Sequence, residues 1–289
     1  MARADLKELA SRLREHPQFL PAATRCTEEF IAWRMRLGVL NKVISTLARE
    51  RILEHLLYLH FARDPADPGA TFERLAALSD RHDRIGARAV RTTLRLAQIA
   101  GHVILTRSLK DGRLRLYEPA EPLLAQAGEF YFIMLSVLEE LAPGFRARDR
   151  LRGEPGFLRA MIGRIGRAYL AYDFQAGAEP DGYSRALRLE GARPILASVV
   201  DCYLTQREPP SALELSRRFH VSPSQTRAVF KTVEAHGLVR LAGRGRLLDA
   251  EPLTEAYLDA LCRSLAFFAL NALETPFDAF SAGPGENRT

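Results

Sequence analysis

Sliding the chain against itself by 136 residues lays one helix-glycine-hairpin pattern onto a second copy, and no other feature restricts the fold as strongly. Ile85-Gly86 falls on Val221-Ser222, Val90 on Thr226, Leu94 on Phe230, Ala97 on Val233, and Gly101-His102-Val103 on Gly237-Leu238-Val239. Basic positions off the apolar stripe match as well, Arg91 with Arg227 and Arg95 with Lys231. Beyond the hairpins, Ala120-Glu121-Pro122-Leu123 recurs as Ala250-Glu251-Pro252-Leu253 at an offset of 130, so the first hairpin is six residues longer. A helix followed by a hairpin is common by itself. Core, basic face, hairpin and trailing tetrapeptide in one order predict duplication of a module.

Helical periodicity predicts helices over 5–17, 27–60, 72–79, 87–100, 121–142, 156–173, 191–206, 212–219, 224–236 and 252–272. Strand signals are short: Val103 to Thr106 and Leu114 to Tyr117 around an Asp111-Gly112 turn, then Leu238 to Leu241 and Arg246 to Leu248 around Gly243-Arg244-Gly245. Gly101 and Gly237 stand where a left-handed helix cap is needed. No apolar run is long and uncharged enough to span a bilayer, so no membrane is expected. The start, Met1 to Glu8, has charges of both signs and no apolar run, which predicts no signal peptide and a cytoplasmic, nucleoid-associated protein.

Net charge is +6, but its distribution says more. Residues 71–117 hold ten Lys or Arg against four Asp or Glu, and residues 211–248 hold seven against two, so the rest of the chain is net acidic. Two basic islands in an acidic chain suit a polyanion, whose counterions are released by local positive charge. Three scattered cysteines, Cys26, Cys202 and Cys262, fit neither a disulfide framework nor a metal knuckle and are expected to be buried thiols. The seven histidines form no pair at metal spacing, and no Walker loop or Gly-x-Ser-x-Gly elbow is present; Gly163 and Gly166 lie inside a helical run. Neither a metal, a cofactor nor an enzymatic activity is expected.

The second copy, Ser211 to Val239, resembles the winged helix-turn-helix of bacterial transcriptional regulators. The residues that carry the likeness are Leu213 and Leu215 on a short helix, the Val221-Ser222 turn, and Thr226, Val229, Phe230 and Val233 beneath Gly237-Leu238-Val239. Ser222 is positioned to cap the second helix, with Pro223 first in it and Gln225 completing a capping box. The resemblance implies that this helix, about 222–236, enters the major groove, and that its counterpart at about 86–100 does likewise. Facing away from the core are Ser224, Gln225, Arg227, Ala228 and Lys231. Gln225 and Arg227 are expected on bases, with Ser222, Ser224 and Lys231 at the helix start and on phosphates. In the first copy the outward set is Arg88, Ala89, Arg91, Thr92 and Arg95, which predicts a G-rich half-site or a stronger phosphate grip. Wing residues Lys110, Arg113 and Arg115, and Arg240, Arg244 and Arg246, are expected at backbone or minor groove. Gly86 replaces the capping serine in the first copy, and Asp83 is the alternative cap, with an earlier helix start.

The expected architecture is therefore mainly α with small β-hairpin wings, two winged helix-turn-helix domains joined by helices, and it is most similar to the MarR-like superfamily. Expected segments are N-terminal helices over 1–46, a first module with trailing helix over 47–142, a helical connector over 143–189, a second module over 190–273, and a flexible tail over 274–289. The resemblance implies a transcriptional regulator, a repressor by default. A plasmid-type replication initiator and a chromosome-condensation accessory protein that binds protein remain alternatives. Apolar helices over 121–142 and 253–272 leave a homodimer and a monomeric pseudo-dimer both open, and their aromatics leave room for a small-molecule effector.

Overall fold

The computed structural model describes residues 3–62, 69–108, 112–142, 144, 146–171, 181–242 and 246–271. The tail expected over 274–289, Lys110, and the turn holding Arg244 lie outside the described residues, as does the side chain of Arg246. Among the described residues the chain is mainly helical with two small antiparallel two-stranded sheets. The first half runs α1 (Arg3–Glu15), α2 (Phe19–Arg36), α3 (Val39–Val43), α4 (Leu47–Phe61), α5 (Phe72–Asp83), α6 (Ala87–Ile99), β1 (Val103–Arg107), β2 (Arg115–Pro119) and α7 (Glu121–Leu141). The second runs α8 (Ala147–Gly153), α9 (Phe157–Ala171), α10 (Gly182–Ala186), α11 (Ala192–Leu204), α12 (Ala212–Arg218), α13 (Pro223–Ala235), β3 (Arg240–Ala242), β4 (Arg246–Asp249) and α14 (Glu251–Asn271).

The single helix expected over 27–60 is interrupted twice. Gly38 takes φ +53°, and Thr46 caps α4 by accepting the Arg49 N–H at 3.3 Å. Apolar periodicity runs across both breaks because the flanking helices face one core. The helix expected from 27 begins earlier, at Phe19, whereas Gly101 and Gly237 have φ of +74° and +68° and both hairpins pair where expected. The earlier start for α6 is not found. Arg84 is left-handed at φ +54°, which stops the helical path, and α6 begins at Ala87 after Gly86. Asp83 points instead at His55 and Tyr169.

Both ends of α6 and α13 are 136 residues apart, and α7 and α14 are both 21 residues long at an offset of 130. Matched backbone bonds lock the helix ends: His102 N–H to the Ala97 carbonyl and Leu238 N–H to the Val233 carbonyl, each 2.9 Å. Arg84 and His220, also 136 apart, share a φ near +54°. The correspondence extends further upstream than the modules. Pro17-Gln18-Phe19-Leu20 opens α2 and Pro155-Gly156-Phe157-Leu158 opens α9, with Arg14 over the Phe19 ring at 5.4 Å and Arg150 over Phe157 at 4.6 Å. The five-residue helices α3 and α10 bury Leu40 and Tyr183 at one matched position, and expose Lys42 and Arg185 at another. The segments expected as N-terminal helices and as connector are thus counterparts, each leading one half.

The halves exchange helices. In the first pair of exchanges α2 packs on α11 while α9 packs on α4; in the second, α1 packs on α14 while α8 packs on α7. Each of these contacts between halves has its reciprocal, as an internal two-fold requires. At the seam, Leu47 N–H donates to the Leu187 carbonyl at 3.2 Å and Gly191 N–H donates to the Ser45 carbonyl at 2.6 Å. Gly163 and Gly166 let α9 close on α4; a Cβ at Gly166 would stand 2.9 Å from Tyr58 Cβ, and one at Gly163 2.8 Å from the Phe61 carbonyl oxygen. One apolar core runs through both halves, including Leu9, Phe19, Leu56, Leu135, Ile195 and Leu265. Each such side chain stabilises the fold by about 1.5–3 kcal/mol on burial. The apolar faces of α7 and α14, which suggested a homodimer, are covered by α2 and α8, and by α1 and α11. Among the described residues no helix is long and apolar enough to cross a membrane.

Candidate nucleic-acid interface

In α6, Val90, Thr93, Leu94 and Ala97 are buried toward α4 and α5, which turns Arg88, Arg91, Thr92 and Arg95 into solvent. Arg91 lies over the Phe72 ring at 4.6 Å, and Thr92 Oγ1 donates to the Arg88 carbonyl at 3.0 Å. In α13 the buried stripe is Thr226, Val229, Phe230 and Val233, and Ser224, Arg227, Ala228 and Lys231 are exposed. Among the described residues no carboxylate is ion-paired with Arg88, Arg91, Arg95, Arg227 or Lys231. Each helix therefore offers cations whose donors are turned outward and not neutralised.

The capping box of α13 is complete, and it occupies two expected contact residues. Ser222 Oγ accepts the Gln225 N–H at 3.1 Å, and Gln225 Oε1 accepts the Ser222 N–H at 2.9 Å. Gln225 Nε2 donates to Glu190, and Ser224 Oγ lies 2.8 Å from Ser222 Oγ. Both ends of the Gln225 amide are committed within the chain. Turning outward would cost Gln225 the cap, so of the two residues expected on bases only Arg227 is left uncommitted.

The hairpins differ in charge. In the first, Arg113 and Arg115 are exposed, and Arg107, unremarked in the sequence, stands directly opposite Arg115. Opposed like charges destabilise a ladder, so this pair favours an anion nearby. A two-residue Asp111-Gly112 turn would set Arg107 opposite Leu116, so this pairing, one residue away, was not legible from the turn signal. In the second hairpin Arg240 stands opposite Asp249, which reduces its field. The end of α6 and the first hairpin also expose Leu96, Ile99, Ile104 and Leu105, with Ile99 72% exposed.

A Ser-His-Asp arrangement also went unseen in the sequence, because its members come from two helices. His55 on α4 has Nδ1 3.0 Å from Ser79 Oγ and Nε2 3.1 Å from Asp83 Oδ2, the latter in ion-pair range but off the line of a hydrogen bond. Burial disfavours the Asp83 carboxylate, but the adjacent His55 ring, the charge of Arg51 and the bond from Tyr169 outweigh it and hold its pKa below the ordinary range. Ser79 and His55 are completely buried. The cluster ties α9 to α4 and α5.

Two open cavities lie among the described residues near these elements. One of about 690 Å³ lies between α2, α7, α8 and α9, with Leu124, Phe132, Ile133 and Leu158 as its apolar wall and Arg36 and Arg152 at its rim. The other, about 450 Å³, separates Thr46 and Arg49 from Arg88 and Thr92. Burial pushes the thiols of Cys26 and Cys262 up to about 12, which leaves them unreactive. Among the described residues no group of His, Cys, Asp and Glu could hold a metal. No protein-family model, no curated protein and no solved structure matches the chain.

Proposed function

We propose that this chain is a sequence-specific double-stranded DNA-binding regulator with two winged helix-turn-helix units, α5 to β2 and α12 to β4. The observation that carries the reading is the matched outward face of α6 and α13: Arg91 with Arg227, and Arg95 with Lys231, each on a helix buried along its other side and followed by a hairpin. A helix so placed fits the major groove, with Arg227 positioned for guanine and Ser224 and Lys231 for phosphates. In the first unit Arg88, Arg91, Thr92 and Arg95 face the groove, and Arg107, Arg113 and Arg115 meet backbone or minor groove. Repression follows by occupying the site.

Genome-wide mapping of bound sites, followed by duplex binding over a salt series, tests this. Arg227→Ala should relax preference at one base pair by about 1–3 kcal/mol, whereas Lys231→Ala should weaken all sequences alike and reduce the salt slope by about one. Absence of duplex binding at moderate salt ends the proposal. Promoter output against maintenance of an origin plasmid separates regulation from replication initiation.

A second reading has one observation in its favour. Leu96, Ile99, Ile104 and Leu105 are exposed at the end of α6 and on the first hairpin, apolar surface of the kind a chromosome-condensation accessory protein would need for a protein partner. Ile99→Asp would then remove partner binding and leave duplex affinity unchanged.

A further inference from the structure

The two units are held about one axis, and this settles how they would share a target. The linkers Ser45 to Leu47 and Leu187 to Gly191 exchange backbone hydrogen bonds at the seam. Each linker also abuts the start of the outward helix of its own half. Thr46, Ala48 and Arg49 face Gly86, Arg88 and Ala89 across the smaller cavity; Glu190 holds Gln225, and Gly191 lies against Val221. A two-fold rotation keeps equivalent points at one height along its axis. The starts of α6 and α13 are therefore displayed at one level, on either side of the linker pair. Asn41 on α3 donates to the Phe219 carbonyl in the opposite half at 3.4 Å, so the second unit is braced by the first half. Exposed Lys42 and Arg185 occupy matched positions on the short helices that lead into the linkers, which adds positive charge beside the axis.

We infer that a single chain, without a second copy, lays both units on one continuous duplex, with the linker pair over its centre. This rests on the DNA-binding reading above. The helix exchange that a homodimer would supply is already made inside the chain: α2 on α11, α9 on α4, α1 on α14 and α8 on α7. Because the halves differ in their outward residues, three arginines on α6 against Arg227 and Lys231 on α13, the target is two unlike half-sites at a fixed spacing.

The test uses duplexes of about 40 base pairs, selected from random sequence on the full chain and long enough for half-sites one or more turns of about 10 base pairs apart. Native mass spectrometry with protein below duplex concentration counts chains per duplex. Footprints and affinities are compared for the unmodified chain, for Arg88→Glu with Arg95→Glu, for Arg227→Glu with Lys231→Glu, and for Lys42→Glu with Arg185→Glu. All of these side chains are exposed, and circular dichroism checks that each variant folds. The expected result is one chain per duplex, a footprint crossing both half-sites, and a loss of at least tenfold in affinity for the same duplex from either helix variant. The Lys42 and Arg185 variant should lose affinity without a change in sequence preference. Two chains per duplex, or a helix variant that leaves affinity and footprint intact, overturns the inference while DNA binding stands. No duplex binding by the unmodified chain overturns both.

Discussion

The backbone N–H of Leu47 donates to the carbonyl of Leu187, joining the start of α4 in one half to the linker ahead of α11 in the other. It marks a seam where two similar halves exchange helices. Residues 1–142 and 146–289, produced together as separate chains, should therefore co-purify as a one-to-one complex with native helicity. Either fragment alone should aggregate, because removing α1 and α2 strips the cover from α14 and α11. Soluble, independently folded fragments would contradict the exchange.

Gly191 carries φ +72°, and a Cβ there would stand 2.5 Å from Val221 Cγ1. Gly191→Ala should lower stability by about 1–3 kcal/mol, measured by urea denaturation. Adding Val221→Ala relieves the clash but not the backbone strain, so recovery beyond that of Val221→Ala alone should be partial.

Glu50 sits between two guanidiniums, bonded to Arg34 Nη1 at 2.7 Å and to Arg193. Arg34 is 1% exposed, and burial lowers its pKa, with Glu50 working against that loss. Glu50→Gln should destabilise the fold by about 3–5 kcal/mol, since it leaves the buried Arg34 uncompensated beside a half-buried Arg193. A change below 1 kcal/mol in thermal or chemical unfolding would refute this role.

Asp83 links His55, Tyr169 and Arg51, and its pKa is depressed in the fold. A depressed carboxyl contributes stability above its unfolded pKa of about 3.9, and that contribution is lost as pH falls through the folded value. Stability should thus drop as pH falls from about 5 downward. Asp83→Asn should be less stable at neutral pH and show a shallower acid limb in a Tm series.

Gln225 and Arg227 separate structure from recognition on one helix. Gln225→Ala should lose about 1 kcal/mol by opening the capping box, with little change in base preference. Arg227→Ala should do the reverse. Unchanged Tm with lost site preference in Gln225→Ala would return that residue to base contact.

Much of the fold was legible because it is local. Gly101 and Gly237 end their helices by a conformation only glycine takes readily, and Ser222, Pro223 and Gln225 start α13 by bonds within four residues. The outward faces of α6 and α13 follow from the 3.6-residue period, which places Val90 and Leu94 inward and Arg91 and Arg95 outward. The break at Gly38 and the recurrence of Pro17-x-Phe-Leu at Pro155 were present in the chain but carry little weight before their backbones are seen to match.

What the sequence by itself determined is the repeated module and the faces it buries and exposes. Tertiary structure decided what covers those faces: α2 lies on α11 and α9 on α4, His55 meets Ser79 and Asp83, and Gln225 turns to Glu190. Periodicity records which side of a helix must leave water, because burial is non-directional. It does not record the partner, which is fixed only when distant segments close on one another and the close approach at Gly163 and Gly166 admits one arrangement.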